Sequence, residues 1–423
     1  MDIAVLFGSM ILFFMIGVPI GVAIGTSCFL TMMLFSDLPM VLIAQNCFTG
    51  VNSFPLMAVP FFILAGVLMG TGGIARRLMD CAAVLVGTIT GGLAIITTIT
   101  SMFFGAISGS AVASVSAIGT IMIPEMVRKG YDKGFSAALA AASGTIGVII
   151  PPSVPLVIYG VATNTSIGDL FLAGLFPGIL MGIGFSITAY GMSKKRGYVG
   201  TGKHVGLKES LKIIWDSKLA LLSPIIVLGG IYAGIFTPTE ASVVSVVYSL
   251  IVGMFVYKEL DLRMVYGAIL DSSVISAVTM FLIGFSTTFA TYLNLAQIPQ
   301  KIAAAMISVT DNVIVMLLLI NIFLLIVGML IDNIPAVLIL APIFLPILKS
   351  FGISPVHFGI IMTMNLAIGF VTPPYGINLF VATAISDVSM ERLTKCVLPF
   401  ILTLIAVLMV VTYVPGLSMA LIK

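Results

Sequence analysis

Two stretches of this chain carry the same interruption in the same surroundings. Gly144-Thr145-Ile146-Gly147-Val148-Ile149-Ile150-Pro151-Pro152-Ser153 and, 222 residues later, Leu366-Ala367-Ile368-Gly369-Phe370-Val371-Thr372-Pro373-Pro374-Tyr375 each set glycine and a proline pair inside an apolar run. Proline removes a backbone donor and its ring collides with the preceding turn, so neither stretch is a plain helix. The solvent is set by composition: the 423 residues are 60% hydrophobic and 8% charged. Many runs reach the ~20 residues that cross a bilayer. In hydrocarbon, an interrupted helix persists only where protein covers it or a cavity lies beside it. Two such helices, one per half, mark the binding region of a secondary transporter.

The same offset of 222 aligns other backbone-setting residues without a gap: Pro124 with Pro346, Gly130 with Gly352, Gly147 with Gly369, Ala162 with Ala384 and Pro177 with Pro399. The sequence therefore predicts an all-α polytopic membrane protein of two repeats, 1–192 and 219–423, joined by a basic linker, 193–218. In the second repeat, spans are expected at 219–236, 239–257, 274–292 and 393–415, with an amphipathic piece at 260–272 and an interfacial arm at 296–310. Between them lie a re-entrant hairpin, 313–348, turning at Asp332-Asn333-Ile334-Pro335, and a broken helix, 354–388. The first repeat maps onto this as two short spans in 3–35, a span at 53–70, an arm at 74–90 and a hairpin at 91–125 turning at Ser108-Gly109-Ser110. A broken helix at 132–165 and a closing span at 168–192 complete it.

Five crossings per repeat make the two repeats inverted relative to one another. Charge supports this. With 193–218 in the cytoplasm, sixteen of the nineteen Lys and Arg residues fall on that side, leaving Lys301, Lys349 and Lys423 outside, as the positive-inside rule asks. Both termini are then extracytoplasmic. No cleavable leader is expected, because Met1-Asp2-Ile3 lacks a basic start and runs directly into the first span. The four cysteines lie scattered in apolar context and read as small core residues.

Enzyme chemistry finds no constellation. His204 and His357 are the only histidines, neither has a Glu or Cys at metal-ligand spacing, and no phosphate-cradling Gly-Lys-Ser/Thr motif is present. Nothing indicates nucleic acid as a partner. Ionisable residues inside the apolar spans are functional candidates by default, and Asp332 is the clearest. It is expected far from water with no basic residue at its depth, so it must be protonated, paired or metal-bound. A Na⁺ ion held by Asp332 and freed backbone carbonyls fits best; a helix cap is the alternative, and the two roles are compatible. Glu240 reads as a surface residue of a helix start, Thr237-Pro238-Thr239-Glu240. Each broken helix restarts with unpaired N–H groups and a partial positive charge suited to an anion. Ser110, Ser143, Ser153, Asn365, Tyr375 and Asn378 are the candidate anion contacts.

Taken together, Phe54-Pro55-Leu56-Met57-Ala58-Val59-Pro60-Phe61-Phe62-Ile63-Leu64-Ala65-Gly66, Ser108-Gly109-Ser110-Ala111, Ile150-Pro151-Pro152-Ser153, Phe176-Pro177-Gly178, Phe236-Thr237-Pro238-Thr239-Glu240-Ala241, the stretch 328–332 and Thr372-Pro373-Pro374 resemble the large membrane subunit of tripartite ATP-independent periplasmic (TRAP) transporters. The resemblance spans essentially the whole chain. It implies a Na⁺-coupled elevator subunit of the bacterial inner membrane. Such a subunit works with a small four-helix membrane subunit and a soluble periplasmic substrate-binding protein, and carries organic acids such as C4-dicarboxylates, sialic acid and other sugar acids. It implies two Na⁺ sites. One comprises Ser108, Gly109 and Ser110 with Gly144, Gly147 and Pro151; the other comprises Asp332 and Asn333 with Gly369, Thr372 and Pro373. On this reading the hairpins and broken helices move, while 3–35, 53–70, 168–192, 219–257, 274–292 and 393–415 stay fixed. An autonomous Na⁺/carboxylate symporter of the same architecture is the alternative; a channel or membrane-embedded enzyme fits less well.

Overall fold

The computed structural model describes residues 2–36, 39–86, 89–198, 206–302, 310 and 312–422. Its described residues are all helix and connecting turn, and seven helices are long and apolar enough to cross a membrane. His204 and most of the second arm, 303–309, lie outside the described residues.

Helix ends follow the local chemistry. Thr237 and Glu240 form a reciprocal capping box with Pro238 in the first turn, fixing the start of Pro238–Leu250 on an exposed Glu240. The first hairpin is Gly92–Ser108 followed by Ala111–Arg128, and the second is Val313–Gly328 followed by Asn333–Ser350. The first broken helix runs Lys133–Gly144, a short 3₁₀ turn Thr145–Val148, then Val154–Thr163; the second runs Pro355–Gly369, then Ile377–Ser386. The outgoing hairpin arms, 111–128 and 333–350, begin and end 222 residues apart, and Pro124 and Pro346 sit at matching depths within them.

Two departures from the sequence reading stand out. The expected division between 260–272 and 274–292 does not exist: Leu262–Leu295 is one helix of 34 residues. Its aligned counterpart in the first repeat is instead interrupted, as Val41–Val51 and Ala58–Thr71. The basic linker also holds a short amphipathic helix, Leu207–Asp216, which packs on the arm Ile74–Val86.

The helices fall into two sets that also meet each other, Leu262–Leu295 against Asn333–Ser350 and Ala58–Thr71 against Gly92–Ser108. Asp2–Met15, Ile20–Phe35, Val41–Val51, Ala58–Thr71, Lys218–Tyr232, Pro238–Leu250 and Leu262–Leu295 pack among themselves. The hairpins and broken helices form the other group. The closing helices Ile167–Arg196 and Met390–Tyr413, expected with the fixed spans, belong to this second group. Met390–Tyr413 lies against Lys133–Gly144 and Pro355–Gly369, and Ile167–Arg196 against Gly92–Ser108, Pro355–Gly369 and Met390–Tyr413. At the centre, Lys133–Gly144 is buried along its whole length after Lys133. Its run Ala137–Ala142 keeps helix surfaces flat, so neighbours approach closely, the usual route to packing in lipid.

A polar clasp ties one end of this group. Asp132 caps Lys133–Gly144 through Phe135 N (2.8 Å) and takes Arg392 at 2.5 Å and Arg196 at 3.6 Å. The Asp132 amide donates to the Tyr198 hydroxyl at 2.9 Å, and the Tyr198 ring stacks on Tyr131 with centroids 4.3 Å apart. The start of the first broken helix and the ends of both closing helices are thus held together.

Candidate functional site

Each hairpin tip lies against the interruption of the broken helix in its own repeat. In the first repeat Gly109 turns the hairpin with φ +60°, a conformation that disfavours any side chain. A Cβ there would also stand 2.7 Å from the Pro152 carbonyl oxygen. Val154 N donates to Gly109 O at 3.4 Å, joining the tip to the restarting helix. Ser110 caps the outgoing arm through Ala113 N at 3.3 Å, and its carbonyl accepts from Ser114 Oγ at 2.9 Å. Ser108 Oγ lies 3.4 Å from both Ser110 O and Ser114 Oγ. Ser153 caps the restart through Leu156 N (3.3 Å) and donates to Val148 O (2.6 Å). Residues 143–153, including Ser143, Gly144, Gly147 and Pro151, are all buried.

The second tip is built on the same backbone with different side chains. The incoming arm ends at Gly328, and partly buried Asp332 caps the outgoing arm through Asn333 N at 2.7 Å. Among the described residues no cation pairs with Asp332. Asn333 is 1% exposed, and among the described residues neither atom of its amide has a hydrogen-bond partner. Gly369 lies directly against Gly328, whose carbonyl occupies the space a Cβ would need. Tyr375 N donates to Met329 O at 3.0 Å, linking tip to interruption. The restart at Ile377 has no side-chain cap; Gly376 precedes it with φ +36°. Thr372 Oγ1 donates to Ile368 O at 2.7 Å, Thr372, Pro373 and Tyr375 are partly exposed, and Pro374 is exposed.

The remaining candidates lie deeper. Ser143 accepts from Ser101 Oγ at 3.0 Å and faces the first hairpin arm. Asn365 donates to Asn321 Oδ1 (2.6 Å) and Ile361 O (2.8 Å), with its Oδ1 unpartnered. Asn378 donates to Ala141 O at 3.0 Å, and its buried Oδ1 is likewise unpartnered.

The model of the DctM component of tripartite ATP-independent periplasmic transporters matches residues 7–417. The chain belongs to this family. This DctM-family chain is 48% identical over 415 residues to the isethionate TRAP transporter permease protein DctMQ of Oleidesulfovibrio alaskensis, covering 98% of the chain but 65% of that protein. It therefore spans less than two thirds of that relative's length. It is 42% identical over 399 residues to the C4-dicarboxylate TRAP transporter large permease protein DctM of Pseudomonas aeruginosa, covering 94% of the chain and 93% of that protein. Against the sialic acid TRAP transporter large permease protein SiaM of Vibrio cholerae it is 39% identical over 405 residues, covering 96% of the chain and 95% of that protein. A solved structure, the YdaH transporter of Alcanivorax borkumensis, shares the fold with a TM-score of 0.63 at 17% identity, covering 88% of this chain and 86% of that one. The chain is thus a member of a family named for transporter permeases, with seven helices among its described residues long and apolar enough to cross a membrane.

Sequence reasoning passed over two groups in this DctM-family site. Ser114, one helical turn after Ser110, completes the hydroxyl cluster of the first tip, and the i, i+4 spacing of two serines is the signal that points to it. Asn321 is fully buried, bonds Asn365 and donates to Thr412 Oγ1 at 3.3 Å. It stands out as the one polar side chain in the otherwise apolar Val313–Gly328.

Proposed function

We propose that the chain is the transmembrane translocation subunit of a sodium-coupled TRAP importer for a small organic acid anion. The observation that carries this is the second tip. An acidic side chain without a cation partner, and a buried asparagine amide without any partner, face a helix interruption in a chain whose family is transport. A carboxylate in such a place is costly unless a cation joins it, and helix interruptions are where transporters hold Na⁺ and anion together. Asp332, Asn333, Gly369, Thr372 and Pro373 would hold one Na⁺. Ser108, Gly109, Ser110, Gly144, Gly147 and Pro151 would hold the other, through hydroxyls and carbonyls. The restarting helix ends beyond Ser153 and Tyr375 supply partial positive charge for the anion.

The relatives are named for isethionate, C4-dicarboxylates and sialic acid, whose shared chemistry is a small organic acid. That class, a small four-helix membrane subunit and a soluble periplasmic binding protein make up the working assembly. It sits in the inner membrane, with two inverted repeats, both termini periplasmic and 193–218 cytoplasmic. Movement is of the elevator type. The travelling body comprises the hairpins and broken helices together with Ile167–Arg196 and Met390–Tyr413, because these pack as one group; the other spans form the frame. Without Na⁺ the anion meets only the partial charge of the helix ends and no full compensating charge, which is the source of coupling.

The test is uptake into proteoliposomes holding the chain and its small subunit, with isethionate, succinate and sialic acid as probes. Gradients of Na⁺ and K⁺ are compared, with and without the binding protein. Accumulation of one probe that needs an inward Na⁺ gradient and the binding protein is the expected result. Equal accumulation under K⁺ overturns sodium coupling, and uptake without the binding protein indicates an autonomous symporter.

A further inference from the structure

At the end of its incoming arm, the first broken helix changes from α-helical to 3₁₀ bonding. In a regular helix Ala141 O would accept from Thr145 N. Here the chain tightens into the 3₁₀ turn, and Thr145 N turns to Ala142 O and Ser143 O instead. Carbonyls in the last turn of a helix commonly take a partner from outside it. The partner comes from the other repeat: Asn378 Nδ2 donates to Ala141 O at 3.0 Å, with both residues fully buried. Asn378 also serves its own repeat, since its backbone N–H donates to Phe370 O at 3.0 Å and so spans the second interruption. One residue therefore finishes the first interruption with its side chain and the second with its main chain. At the aligned position of the first repeat stands Leu156, which has no side-chain donor, so the side-chain link is made from the second repeat alone.

We propose that Asn378 is the positioning residue that couples the two hairpin-tip sites, so that the cation bound at one interruption raises affinity at the other. This rests on the two-sodium reading above. Ordering of 370–376 fixes the backbone of Asn378; its amide then fixes Ala141 O, three residues before Gly144, where the first interruption begins. Ordering of the first interruption acts back through the same bond, as linkage requires. The Oδ1 end of the amide carries no partner, so its position is set by the donor end alone.

The test is the Na⁺ dependence of anion uptake in proteoliposomes, for the wild-type chain, Asn378→Leu and Asn378→Ala, each with its small subunit and binding protein. Asn378→Leu is the informative variant, because the first repeat carries leucine at this place in the same helix start. Coupled sites give the wild type a Hill coefficient approaching about 2. We expect both variants to fall toward about 1. Loss of affinity with an unchanged Hill coefficient overturns the coupling role and leaves a merely structural one. A wild type indifferent to Na⁺ overturns the sodium reading itself, so the two failures are distinguishable. Should both variants misfold, hydrogen exchange on the wild type decides. Amides of 145–153 and 370–378 gaining protection along one Na⁺ curve support coupling, and two separated midpoints overturn it.

Discussion

The two hairpin tips share a backbone and differ in how completely they are finished. At the first, Ser110 caps the arm, Ser153 caps the restart, Ser114 and Ser108 close the cluster, and every residue of 143–153 is buried. At the second, the restart has no side-chain cap, 372–375 reach the surface, and both amide atoms of Asn333 lack partners beside the carboxylate of Asp332. The first tip satisfies itself with its own hydroxyls; at the second, the Asn333 amide finds no partner among the described residues. An unsatisfied buried polar group costs about 1–3 kcal/mol, so on the sodium reading proposed above the second tip has more to gain from a ligand.

That contrast breaks most readily at Asp332. Asp332→Ala is expected to raise the Na⁺ concentration for half-maximal uptake by roughly 10- to 100-fold, the worth of a charged contact. A shift of less than about threefold would place the second cation elsewhere. Next comes Gly369→Ala, where the new methyl meets the Gly328 carbonyl. Overpacking of this kind costs about 1–3 kcal/mol, and a thermal melt of the purified chain should drop by several degrees whether or not Na⁺ is present. Asn333→Leu sharpens the comparison from the other side. Replacing an amide without partners by an apolar group is expected to leave the Na⁺-free melt unchanged or raise it by up to about 1 kcal/mol, while the stabilisation by added Na⁺ disappears. Retained Na⁺ stabilisation in this variant would show that the amide is not a ligand. The smallest effect is expected at the self-sufficient tip: Ser110→Ala removes a cap worth about 1 kcal/mol, with a rise of only a few-fold in half-maximal Na⁺.

The interruptions were legible because glycine and proline act on the backbone directly, whatever their neighbours. Pro151-Pro152 and Pro373-Pro374 mark both breaks, and the offset of 222 carries from the sequence into the outgoing hairpin arms. Side-chain polarity was a poorer guide. The division expected between 272 and 274 does not occur: the helix continues, because Ser272 donates to Ala268 O and Ser273 to Ile269 O (2.7 Å), satisfying both hydroxyls within the helix. The membership of Ile167–Arg196 and Met390–Tyr413 was hidden for another reason. Their sequences show apolar length, whereas their neighbours are fixed by long-range pairs such as Thr188 with Thr403 at 2.7 Å and Asp132 with Arg392. The role of Asn378 needed the fold as well, since its partner Ala141 lies 237 residues away.

The contact of Gly328 with Gly369 has a mechanical consequence. Two backbones that touch with no side chain between them leave no clearance for the hairpin to swing as a whole, so the pair is a fulcrum. Beyond it only residues 329–332 remain as a lever arm before the outgoing helix begins at Asn333. Any change of shape confined to this tip therefore falls on a few peptide units rather than on a whole helix.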